Sequence, residues 1–326
     1  MPVTLAQAKV GMANHVDQQV IDEFRRGSAL LDALTFDDAV SPGTGGSTLV
    51  YGYTQLKTPA GADFREINSD YTPNEADRET KTVNLKIFGG SFQVDRVLAN
   101  TTNGQINEVQ FQLSEKIKAA TNLFHYTAIN GDSATKGFDG LDTMLVGSST
   151  ELNADAAGAI DISSASAIDA NYKTVLDVLD QLLGELDGTP TMLLGNNALL
   201  TKLKGCARRA GYLTQSENAF GKTVEGYAGI PFVDLKYYYD LTSKTEKPVI
   251  PIITRGSATG LTDLYAVRFG LDGFHAVSPA GGKIISTTLP DFSQAGAVKS
   301  GDVEMVAATV LKKTRAAGVL RNFKVK

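Results

Sequence analysis

From Asn103 to Ile129, apolar side chains return every three or four residues: Ile106, Val109, Leu113, Ile117, Ala120, Phe124 and Ala128. That spacing lines one stripe of an α-helix, which at ~1.5 Å per residue would run roughly 40 Å. The "NGD" that follows is a stop signal. Upstream, the pattern predicts two strands, Ser47 to Leu56 and Thr80 to Phe88, that form the arms of a hairpin. Ordinary hairpins turn in about two to five residues. This one encloses a far longer stretch carrying Asp63, Arg65, Glu66, Asp70, Glu75, Asp77, Arg78 and Glu79. A segment so polar cannot bury itself in its own core, so it is expected to reach for another surface. "FGGSFQVDRVLANTTNG" then reads as strand and turn.

The flanks follow the same logic. Residues 4–26 read as a helix capped by Thr4, with Val16, Val20 and Phe24 on its apolar side and Gly27-Ser28 as its end. Leu30, Leu31, Leu34 and Phe36 form a short anchor, and "VSPGTGGST" breaks all periodicity. The small, polar run 147–170 marks a boundary. Beyond it come a helix over 171–186, a strand in "TMLLGN", and a helix to Arg209 that Asn196 or Asn197 can cap. "GIPFVDL", "KPVIPIIT" and "DLYAVRFGLDGFHAV" are further strands. A long closing strand, Val303 to Lys312, precedes a basic tail.

Composition narrows the class. At 42% hydrophobic and 21% charged residues, the chain is globular. A formal net charge of −5 argues against the whole chain gripping DNA through its phosphates. The single cysteine, Cys206, excludes an intramolecular disulfide and a cysteine-rich zinc site. No apolar run approaches the ~18 residues of a membrane span, and the first residues lack the pattern of a secretory signal.

Candidate chemistry is sparse. His15, His125 and His275 lie far apart with no metal-ligand spacing. "SENAFGKT", Ser216 to Thr223, ends like a phosphate-binding loop, yet Ser216 stands where the first glycine is needed. No catalytic, cofactor or metal site is expected.

The order of parts nevertheless resembles the major capsid proteins of tailed double-stranded DNA phages, with the α+β Hong Kong 97-type fold. The resemblance is carried by "VIDEFRRGSALLDAL" (20–34), "KIFGGSFQVDR" (86–96), "FHYTAINGDSATKGFDGLDTML" (124–145), "GIPFVDL" (229–235) and "MVAATVLKKTRAAGVLRN" (305–322). It implies an N-terminal arm over 1–46, an extended loop over 47–88, and a peripheral domain over 89–145 around the spine helix. An axial domain over 146–290 and a return to the peripheral domain over 291–326 complete it. The loop would lie over a neighbouring subunit and the arm against another. Lys57, Arg65, Glu66, Asp70, Glu75, Asp77, Arg78 and Glu79 of the loop, with Phe24, Leu30 and Leu31 of the arm, are then the expected subunit-interface residues.

The implied partners are other copies in hexamers and pentamers, a separate scaffolding protein, a portal, in some members a decoration protein, and packaged double-stranded DNA held by weak, non-specific contact. The implied location is the virion capsid, assembled in the host bacterial cytoplasm. Some members cross-link covalently through a lysine near the loop tip. None occurs here between Lys57 and Lys81, so the shell is expected to be non-covalent. The rival readings are an encapsulin-type nanocompartment shell and, from another class, an α+β nucleotide-binding or hydrolytic enzyme.

Overall fold

The computed structural model describes residues 29–40, 46–97, 108–154, 159–211, 213–217, 223–279 and 284–326. The helix expected over 4–26, including Phe24, lies outside them. Among the described residues the strands form a five-stranded sheet, a nine-stranded sheet and two separate two-stranded ribbons.

The five-stranded sheet is organised by β17 (Val298–Leu311), which carries three neighbours. β4 (Lys86–Asp95) pairs antiparallel with it from Val298↔Asp95 to Ala307↔Lys86. β16 (Ile285–Thr288) and β15 (Phe274–Pro279) take successive stretches of its other edge, and β1 (Phe36–Ala39) adds to β15 in parallel. The pairing of β4 with β17 explains a glycine. Gly89 has φ +155°, and a Cβ there would sit 1.9 Å from the carbonyl oxygen of Val303, so a side chain would drive the strands apart.

Across this sheet lies α2 (Glu108–Asn130); the short α1 (Ala29–Ala33) precedes β1. Leu113, Ile117, Ala120, Phe124 and Ala128 are all buried, as their spacing requires, and Thr121, His125 and Ile129 widen the stripe. Phe124 is fully buried at the centre of an aromatic cluster, with ring centroids 6.5 Å from Phe36, 6.0 Å from Phe88 and 5.9 Å from Phe138. Rings at such separations add to simple area burial. The helix stops at Gly131, where a Cβ would sit 2.1 Å from the Phe138 carbonyl.

The nine-stranded sheet runs β5 (Glu151–Asn153), β18 (Ala317–Lys324), β14 (Ala258–Val267), β7 (Met192–Leu194), β10 (Ile230–Val233), β9 (Thr223–Tyr227), β8 (Leu213–Glu217). β6 (Ile160–Asp161) pairs with β18, and β13 (Ile253–Arg255) with β14. The helices α4 (Ala165–Glu185) and α5 (Asn197–Ala210) bury Val175, Leu179, Leu182, Leu199 and Leu203 in its own core. Of the two candidate caps, Asn196 is the one that caps α5, its side chain accepting from the Leu199 N–H. α4 begins six residues earlier than the apolar pattern suggests, with Ser164 as its cap.

Two domain boundaries need correction. β15 and β16 belong to the first sheet, although 146–290 was expected to form the axial domain. β18 belongs to the second sheet and is almost wholly buried, whereas 291–326 was expected to return to the peripheral domain and end in a basic tail. A short turn at Thr314–Ala316 carries the chain from β17 in one sheet to β18 in the other. The charge of Arg321 does not keep β18 in solvent because it is fully paired. Its guanidinium contacts Glu151, Asp142 on α3 (Leu141–Leu145), and Asp263 at 3.1 Å, and Asp263 also holds Arg255 at 2.6 Å. A buried charge is tolerated only when paired in this way.

Candidate assembly interface

The expected hairpin is present as the two-stranded ribbon β2 (Val50–Thr58) and β3 (Asp77–Asn84), in register from Val50↔Asn84 to Leu56↔Arg78, with a bulge before Thr58↔Asp77. Its second arm is shorter than expected. Lys86 to Phe88 already belong to β4, because Leu85 is buried and turns the chain into the first sheet.

The root of the ribbon is tied to that sheet. The Tyr51 hydroxyl donates to Asp37 Oδ2 at 2.6 Å, and Lys312 Nζ lies 3.6 Å from the same carboxylate and 5.4 Å from the centre of the Tyr51 ring. His275, fully buried, meets that ring edge-on at 6.1 Å. Gln55 donates to the Thr314 hydroxyl at 3.2 Å. Burial, then the hydrogen bond to Asp37, pushes the Tyr51 phenol far above its ordinary value. Burial pushes Asp37 upward, but the bonds from Tyr51 and the Asp38 N–H, with Lys312 nearby, hold it below the usual carboxylate range. Burial, with Lys312 adding to it, lowers His275. These groups therefore stay as neutral phenol, carboxylate and neutral imidazole near pH 7.

The tip is different. Every residue from Leu56 to Thr82 is exposed. Lys57 pairs with Asp77 of the facing arm at 3.3 Å, both side chains remaining exposed. Arg65 donates to the carbonyl of Ser69 at 3.2 Å and lies 5.5 Å over the Tyr71 ring. Ser69 donates through both N–H and hydroxyl to the Glu66 carbonyl, which closes a small turn with Asn68 at φ +70°. Asp70, Glu75, Arg78 and Glu79 stand in solvent along the same ribbon.

That turn presents what sequence reading overlooked. Phe64 is 101% exposed and Ile67 is 92%. Single apolar residues among many charges leave no periodic signal; only the missing core beneath them makes them noticeable. Two large apolar side chains on one ordered turn, both in water, make that turn a candidate contact surface.

Leu30 and Leu31, expected at a subunit interface, must be corrected. Both are buried in the first sheet's own core, at 0% and 2% exposure, so no surface of theirs is left for a neighbour. Phe24 lies outside the described residues.

The phosphate-loop candidate does not have the flanking geometry such a loop needs. A phosphate loop runs from a strand into a helix. Here 218–222 is flanked by β8 and β9, which pair antiparallel with Glu217 opposite Thr223. Burial lowers His125 to about 4 and raises the Cys206 thiol to about 11; a thiol so raised is a poor nucleophile. Among the described residues, no group of three or more His, Cys, Asp or Glu could hold a metal ion, and no helix is long and apolar enough to cross a membrane.

No family model matches the sequence, and no curated protein matches it. Solved structures do. The chain has the Hong Kong 97-type shell fold. It is similar to the SrpI encapsulin of Synechococcus elongatus, with TM-score 0.63 and 14% identity over 91% of this chain and 88% of that one. A chain of Mycobacterium phage Bobi gives TM-score 0.56 and 12% identity, covering 90% of each. The capsid of the native GTA particle gives 0.54 and 10%, again covering 90% of each.

Proposed function

We propose that this chain is the major capsid protein of a tailed phage, a structural subunit that assembles into the icosahedral head around double-stranded DNA. The observation that supports it is a shell fold spanning about nine-tenths of the chain, from which a long hairpin projects with Phe64 and Ile67 fully in water. A lone subunit gains nothing from that exposure; a lattice of subunits does, since each copy makes several weak contacts at once. The subunits group as hexamers and pentamers, and the particle forms in the host cytoplasm with a scaffolding protein, a portal and, in a decorated shell, an outer protein. A net charge of −5 suits a wall that must enclose DNA without adhering to it. This reading assigns the protein no catalytic activity.

The test is imaging of the purified protein. Closed shells or tubes are the expected result, and a monodisperse monomer at high concentration would overturn the reading. Replacing Pro59–Ala76 by a tight turn should leave a folded subunit that no longer forms particles. An encapsulin-type compartment is the second reading, favoured by the TM-score of 0.63 to SrpI. Contents separate the two: nuclease-protected DNA supports the phage head, a packaged enzyme the compartment.

A further inference from the structure

The second ribbon, β11 (Tyr237–Asp240) with β12 (Thr245–Pro248), belongs to neither large sheet. Arms this short do not hold a ribbon by themselves, and its inner side is pinned to the body. Tyr238 stacks on Tyr126 of α2 with ring centroids 4.0 Å apart, and the Asn130 amide donates to the Val249 carbonyl at 2.6 Å. Strand alternation then turns Tyr237, Tyr239 and Leu241 outward, where they stand 51%, 53% and 83% exposed.

The backbone is open at the same tyrosines. The Val249 N–H donates to the Lys236 carbonyl at 2.9 Å, one step beyond the pair Tyr237↔Pro248. Bonded and unbonded pairs alternate along an antiparallel ladder, so Tyr238↔Lys247 and Asp240↔Thr245 carry the ribbon's bonds. The N–H and C=O of Tyr237 and Tyr239 therefore point away from β12, and among the described residues no other strand lies beside β11. The opposite edge is blunted. There the outward-pointing residues are Glu246 and Pro248, and a proline has no N–H to offer.

We propose that β11 is a self-pairing edge, adding antiparallel to β11 of a second copy about a two-fold axis through Tyr238. This goes beyond the shell reading and does not depend on it. Three observations commit the edge to that occupant. The first is the backbone: in this register Tyr237 faces Tyr239 of the other copy, so the open donors and acceptors of each chain meet those of the other. The second is the side chains, since the same register sets exposed tyrosines beside each other as cross-strand aromatic pairs. The third is charge. Lys236, with its side chain 73% exposed, comes opposite Asp240 of the other copy at both ends of the contact.

Cys206, the only cysteine, is buried, so introduced surface thiols can be oxidised selectively. Bonded partners in an antiparallel pair have Cα atoms about 5.5 Å apart, within disulfide reach. Like positions, two residues out of step, lie about 8 Å apart and beyond it. Tyr237→Cys and Tyr239→Cys chains, mixed at high concentration and oxidised, should give disulfide-linked dimers on a non-reducing gel, and neither variant alone should do so. The wild-type chain supplies a second readout. In particles or at high concentration, the amides of Tyr237 and Tyr239 should exchange at least tenfold more slowly than in the dilute subunit. The proposal requires both results; either one without the other, or neither, overturns it, and so does a variant that links to itself as readily as the mixture. Tyr239→Pro deletes a donor that the ribbon does not use, so it should leave subunit unfolding near wild type and remove the protection at Tyr237; protection that survives overturns the edge-to-edge geometry. Particles with unpaired ribbons would overturn the pairing alone, and paired chains that form no particle would overturn the shell reading alone.

Discussion

At its root the hairpin is held by Tyr51 on Asp37, Lys312 over both and Gln55 on Thr314, all within one chain. At its tip, Arg65, Ser69 and Tyr71 order a turn that touches nothing beyond itself, and two apolar side chains point into water. One end of a single ribbon is satisfied by folding and the other is left in water. The physical lesson is that burial cannot be judged from residue type alone. Phe124 and Phe64 carry the same ring, yet one is at 0% and the other at 101% exposure, so their removal should act on different equilibria.

The sharpest break of this contrast comes from those two rings. Phe124→Ala should cost the unassembled subunit about 3–5 kcal/mol, read by denaturant unfolding. Phe64→Ala should move the same midpoint by no more than ~0.5 kcal/mol. Equal losses would show that the tip is already packed in the free subunit.

The next effect is acid. His125 titrates at about 4 when folded and at about 6.5 when unfolded. Between those values the unfolded chain holds a proton that the folded chain lacks. The contribution of His125 to stability should therefore be flat above pH 6.5 and fall by about 3 kcal/mol as pH drops towards 4. Buried His275, lowered by its burial and by Lys312, adds a loss of the same sign. In His125→Gln, thermal unfolding followed across this window should show a shallower decline; an unchanged slope would place the acid sensitivity elsewhere.

Smaller again is the tie at the root. Tyr51→Phe removes one hydrogen bond to a carboxylate and should cost about 1–2 kcal/mol, with faster amide exchange in β2 but not in β17. If β17 loosens equally, root and sheet are one cooperative unit. The smallest effect belongs to Lys57, whose exposed pair with Asp77 should contribute under ~1 kcal/mol. Lys57→Met should leave both subunit unfolding and particle yield near wild type.

What could be read from the sequence follows the range of the signal. The stripe Leu113–Ile117–Phe124–Ala128 is local and periodic, so α2 and its buried face were legible, as were the hairpin arms and the cap at Asn196. The pairing of β15 and β16 with β17 is long-range and leaves no periodic trace, so the domain boundary fell in the wrong place. β18 reads as part of a basic tail because Arg321 suggests solvent unless Glu151, Asp142 and Asp263 are known to surround it. The candidate surface was half legible. Its charges announced a segment that cannot pack on itself, while Leu30 and Leu31 looked like an arm's contacts and proved to be core. Phe64 and Ile67 are not legible in it, since isolated hydrophobes on a polar run carry no pattern.

The junction of β17 and β18 bears on the timing of synthesis. β17 is the common neighbour of β4, β15 and β16, and β18 of β5, β6 and β14; among the described strands, these two are the last made. Residues as far apart as Lys86 and Ala307 must find each other before the first sheet closes. Pairings this distant are slow to form. While the earlier strands are emerging from the ribosome, neither sheet has its connecting member. The chain therefore cannot complete either sheet before its last described strands have been made, and the subunit's fold closes at the end of translation and not along the way.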